Sequence, residues 1–82
     1  MEKIKETMKE GALPAKTKEL VAIAVSIAAH CEPCLKVHIE KATKHGASKE
    51  EIMEILAIAT MICGAPETVW ARKIMLAFFK KE

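Results

Sequence analysis

The sequence is poor in the residues that interrupt or decorate a chain. Gly and Pro number three each, and aromatic residues make up only 4% of the 82 positions. Each Gly and Pro stands where a helix could start or stop, and no stretch alternates apolar and polar side chains for long. That argues against strands and for helices joined by tight turns. A long apolar run is missing too. The longest nearly uncharged segment, Leu20 to His30, falls short of the roughly 20 residues that cross a bilayer, and the N-terminus carries no apolar signal segment. A soluble cytoplasmic protein with no membrane partner is expected. Neither sign of charge is in excess: thirteen Lys and Arg face eleven Asp and Glu, a formal charge of +2. The lysines are scattered at helix ends rather than gathered into a stripe, so no nucleic-acid footprint is indicated. Internal repeats, low-complexity stretches and linkers are absent, and a chain of this length makes one domain, residues 1–82.

What is abundant is aliphatic side chain. The apolar fraction is 51%, supplied by Ala, Ile, Leu, Val and Met. A chain this short buries only a little over half of its unfolded surface when it folds alone, so its private core is thin. Five helices account for the pattern. The first covers about Glu2 to Lys9, with Met1, Ile4 and Met8 on one side. Pro14 opens the second, about Ala15 to Ala29, in which every residue from Leu20 onward except Ser26 is apolar. Glu32 and Pro33 begin the third, which carries the stripe Leu35, Ile39 and Ala42 and ends at Gly46. Ser48 and Glu51 form a capping box for the fourth, which runs to about Cys63 with apolar residues nearly all round. Pro66 opens the fifth, with Trp70, Ile74, Ala77 and Phe78 on one face. Two helices apolar on most sides cannot both be covered in so small a domain. A compact all-α domain that assembles into a homo-oligomer is therefore expected.

Three cysteines are too few and too odd in number for a secreted disulfide framework. Two of them form Cys31-Glu32-Pro33-Cys34, followed one helical turn later by His38. The first falls near the N-cap of the third helix and the second within its first turn, where free N–H groups and the positive end of the helix dipole favour thiolate over thiol. A three-residue step sets the two sulfurs within reach of a disulfide, and His38 lies four residues past Cys34 on the same face. A stabilised thiolate, a second thiol and an imidazole able to move protons near neutral pH are the requirements of thiol redox chemistry. Zinc is the alternative. Cys31, Cys34 and His38 would be three ligands, with Cys63 or Glu19 as a fourth, but there is no second C-x-x-C and no H-x-x-x-H. A third reading makes both cysteines core fillers, against which stand the polar and turn-forming neighbours His30, Glu32 and Pro33. Cys63 reads as a buried structural thiol and His45 as a cation at a helix C-terminus. His30 either caps the second helix or polarises Cys31, and Trp70 reads as a core or interface anchor. The methionines, helix-spaced, read as core or interface.

Glu19, Cys31-x-x-Cys34-x-x-x-His38, Leu13-Pro14 before the second helix, and Gly46 followed by a capped helix together resemble the AhpD-like alkylhydroperoxidase branch of the carboxymuconolactone decarboxylase family. The resemblance covers roughly Leu13 to Phe79. It implies an all-helical fold, assembly as trimers or hexamers, and a peroxidase or disulfide reductase in which Cys34 attacks the peroxide. Cys31 would then close the disulfide while His38 and Glu19 relay protons. No cofactor is implied beyond the redox-active Cys31–Cys34 pair, and an external dithiol donor or a partner peroxiredoxin would reduce it. Better-studied members carry a histidine immediately before the second cysteine, where this chain has Pro33, so the relay is arranged differently here, with His30 a candidate substitute. The lactone-decarboxylating branch generally lacks the cysteine pair, which makes its chemistry the lesser alternative. Helix geometry places Glu19 awkwardly: about 18 Å of helix separates it from Cys31, whereas His38 is about 6 Å beyond Cys34. The two would meet only with a favourable crossing angle or help from another subunit.

Overall fold

A computed structural model describes the backbone of residues 2–80 and the side chains of residues 5–80. It contains α1 (Glu2–Met8), α2 (Ala15–Ala28), α3 (Glu32–Lys44), α4 (Lys49–Cys63) and α5 (Ala65–Lys80), with no strand among the described residues. The elements fall close to those expected from the sequence, and the local chemistry at their ends explains why. At the end of α2, His30 takes a left-handed conformation, φ 53°. Its N–H donates to the Ile27 carbonyl and the next N–H, that of Cys31, donates to the Ser26 carbonyl. This pair of bonds is a Schellman ending. The same pattern closes α3, where Gly46 at φ 93° and Ala47 donate to Thr43 and Ala42. The capping box of α4 forms as expected: the Ser48 hydroxyl accepts from the Glu51 N–H at 3.0 Å, and the Ser48 N–H donates to the Glu51 carboxylate at 2.8 Å.

Helix α2 is the central element, packed against both α3 and α4, while α5 packs on α4. The expected stripe of α3 is fully buried: Leu35, Ile39 and Ala42 have no exposed surface. They meet Ile23 and Ile27 from α2 and Ile52 and Leu56 from α4 in one core. Ser26, the single polar residue in the apolar half of α2, is buried without penalty because its hydroxyl donates to the Ala22 carbonyl at 2.7 Å. Helix α1 is tied down by Lys18, whose ammonium donates to the carbonyls of Thr7 and Lys9. Met1 and the Ile4 side chain, expected on its apolar side, lie outside the described residues.

One expectation is corrected. The buried row of α5 is Thr68, Ala71 and Met75 rather than Trp70, Ile74, Ala77 and Phe78. Ala77 is exposed, and Trp70, Ile74 and Phe78 pack against the core from its edge. Hydropathy alone misses this because Thr68 is polar. Its hydroxyl is satisfied by the Thr60 hydroxyl at 2.9 Å, so it can go inside. The apolar helices, expected to be more than a single chain can cover, do have open faces here. Val21 and Val25 on α2 and Ile58, Met61 and Ile62 on α4 are all exposed, Met61 at 77%.

Candidate redox site

The turn between α2 and α3 builds the site. Because α2 ends at a left-handed residue, the chain reverses within three positions and Cys31 becomes the N-cap of α3. The Cys31 sulfur accepts the N–H of Cys34 at 3.3 Å, a bond that satisfies one of the free donors of the first turn. Pro33 sits within that turn, where its missing N–H costs nothing. Cys31 and Cys34 are joined as a disulfide with their Cα atoms 5.3 Å apart, within the usual range. Cys34 faces solvent and Cys31 is half-buried, so an incoming reagent meets Cys34 first.

Glu19 and His38 do meet, within one chain. His38 Nδ1 lies 2.6 Å from Glu19 Oε1. The expected mismatch in helix length narrows from about 12 Å to about 8 Å once both arms are measured from Cys31, since His38 lies about 10 Å along α3 from it rather than 6 Å. The remaining offset is taken up by the tight packing of α2 on α3. Glu19 is only 3% exposed, the most deeply buried acid in the described chain, whereas His38 keeps 24% of its side chain in contact with solvent. Where the Glu19 carboxylate is ionised it can only accept, and the 2.6 Å contact then calls for a proton on His38 Nδ1, with Nε2 as the other ring nitrogen able to exchange protons.

The other chemistry-bearing residues are placed as follows. The His30 ring stacks on Trp70 with centroids 4.1 Å apart and planes 2° from parallel. His45 is the exposed C-cap of α3 and Cys63 is a half-buried free thiol at the end of α4. Among the described residues no three His, Cys, Asp or Glu side chains converge as a metal-ligand set. No helix among them is long and apolar enough to cross a membrane. The stack of His30 on Trp70 was not legible in the sequence, because the partners are far apart in the chain and neither belongs to a recognisable spacing.

With this geometry in view, comparison with known proteins is decisive. The model of the carboxymuconolactone decarboxylase family matches residues 1–77. The chain belongs to that family. An uncharacterized protein of Cupriavidus necator is 37% identical over 93% of this chain and 66% of its own length. The alkyl hydroperoxide reductase AhpD of Corynebacterium kroppenstedtii is 37% identical over 62% of this chain and 29% of its own length. The chain thus spans two thirds or less of the length of these relatives. Among solved structures, a family member from Thermotoga maritima, for which a part in the antioxidative response has been suggested, superposes with a TM-score of 0.85. It is 30% identical, over 94% of this chain and 78% of its own. A second, the apo form of a family protein from Legionella pneumophila, gives a TM-score of 0.80 at 37% identity, covering 89% of this chain and 65% of its own.

Proposed function

We propose that this family member is a dithiol oxidoreductase of the AhpD type that reduces hydroperoxides through Cys34, Cys31, His38 and Glu19. The observation that carries the reading is the combination on one face of α3 of an exposed disulfide sulfur at the helix N-terminus and, a turn on, an imidazole anchored to a buried carboxylate. In the reduced protein His38 Nε2 takes the Cys34 proton. The Cys34 thiolate attacks the peroxide, the O–O bond breaks, one oxygen stays on sulfur as a sulfenic acid, and the departing alkoxide takes the proton back from the imidazolium to leave as an alcohol. Cys31 then loses its proton and attacks the sulfenic sulfur. The S–S bond forms, and the hydroxide released is protonated to water.

The N-cap geometry supports this division of roles. The Cys34 N–H that the Cys31 sulfur accepts would stabilise the thiolate formed when Cys31 loses its proton to resolve the sulfenic acid. In the return half-reaction it is the better leaving group, since an external dithiol attacking exposed Cys34 expels Cys31 onto that same N–H. The donor's second thiol then releases the enzyme with both cysteines reduced and the donor oxidised.

Incubating reduced protein with an alkyl hydroperoxide and counting free thiols tests the reading. The expected result is rapid loss of two of the three thiols, leaving Cys63. No loss, or equal loss in Cys34→Ser, overturns it. If peroxide is inert while a disulfide substrate oxidises the pair, the site is a disulfide exchanger instead. The reading includes self-association through the exposed apolar faces of α2 and α4.

A further inference from the structure

We infer that Trp70 is a positioning residue for the dithiol, its indole holding His30 in the left-handed turn that presents Cys31 to Cys34. The inference rests on the reading of Cys31 and Cys34 as the working pair, though not on peroxide as the oxidant.

Among the described residues His30 is the single non-glycine position with positive φ. The equivalent place at the end of α3 is held by Gly46, the residue that takes this conformation without steric cost. A histidine in its place stays left-handed only if the surroundings hold it there. The local backbone bonds at the two helix ends are alike, so they do not distinguish a histidine from a glycine. What His30 has in addition is its ring, which lies parallel to that of Trp70. Trp70 is in turn a fixed platform. Its Nε1–H donates to the Glu67 carbonyl at 2.9 Å, and its neighbours on α5, Ala71 and Met75, are fully buried. The stack therefore ties the α2–α3 turn to α5 beside the dithiol. Cys31 is the next residue after His30, so any swing of the turn displaces the sulfur that must meet Cys34.

In the reduced chain the disulfide no longer constrains the turn, and the stack adds to the local backbone bonds what a histidine needs to stay left-handed. Without it the turn samples other conformers, the effective concentration of Cys31 at Cys34 falls, and the disulfide becomes easier to reduce. Equilibration of the protein with glutathione redox buffers measures this directly. Trp70→Ala and His30→Ala are each expected to lower the equilibrium constant for the Cys31–Cys34 disulfide about tenfold, a shift of about 30 mV toward a more oxidising potential. Trp70→Phe, which retains a ring, is expected to recover most of it. The double variant should shift no further than either single one, because both remove the same contact.

An unchanged potential in Trp70→Ala, or additive shifts in the double variant, overturns the inference. If Trp70→Ala fails to fold, His30→Ala keeps the question open to test, since Trp70 is the only tryptophan and there is no tyrosine. The indole emission should change when its stacking partner is removed, and an unchanged emission and potential in His30→Ala overturns the inference. No peroxide enters these measurements, so an inability to reduce hydroperoxides would not disturb them.

Discussion

Glu19 is the side chain whose placement makes the strongest demand on the fold. A carboxylate with 3% exposure is tolerated only with a partner, and its partner is His38 at 2.6 Å. Removing the imidazole in His38→Ala strands that carboxylate, and a destabilisation of about 2 kcal/mol is expected in denaturant unfolding. The same variant should slow thiol loss to peroxide by at least about 100-fold, the usual worth of a positioned acid or base. Glu19→Gln keeps a hydrogen-bonding side chain but removes the charge that selects the His38 tautomer. Its effect should fall on the pH dependence of Cys34 oxidation, seen in rate profiles across neutral pH. The residue types were legible as a motif, but their contact was not. Helix lengths counted from two different cysteines suggested separation, while packing decides contact.

Among the elements, α4 shows most directly how a short sequence signal becomes tertiary structure. Ser48 and Glu51 cap the helix, and the Glu51 carboxylate also accepts from the Lys16 ammonium at 3.0 Å, pinning the start of α4 to α2. The capping box could be read from spacing; the link to Lys16 could not, because it spans 35 positions. Ser48→Ala should cost about 1 kcal/mol in thermal or denaturant unfolding. The Ser48 backbone N–H, and then Lys16, hold the Glu51 carboxyl below its ordinary value of 4.5. A depressed value in the folded state means that this stabilisation is complete above pH 4.5 and is lost as pH falls through the lower folded value. The direct expectation is a flatter stability curve below pH 4.5 in Glu51→Gln, read by circular dichroism.

Over the whole molecule, the surplus of apolar residues becomes two exposed patches. Val21 and Val25 stand one turn apart on α2, at 50% and 60% exposure, and Ile58, Met61 and Ile62 share a side of α4. Apolar surface of this kind is what the proposed self-association would cover. Light scattering at micromolar concentration should report an oligomer, and Met61→Glu should shift it toward the monomer while leaving the helical content unchanged. A monomeric wild-type protein would sink the expectation. The reversal of chain direction at His30 works at this scale too, since it folds α3 back on α2 and so brings His38 to Glu19.

The sequence by itself determined the helices and most of their ends, because the capping box, the Gly46 turn and the proline positions depend on a few neighbouring residues. It also determined that the two cysteines are neighbours, since a three-residue step at a helix start brings two sulfurs within reach of each other. The buried face of α5, the meeting of Glu19 with His38 and the stack of His30 on Trp70 were decided only by the tertiary structure. Each of these joins residues on different elements, and such contacts depend on how helices cross and on which polar groups find partners inside, neither of which local spacing encodes.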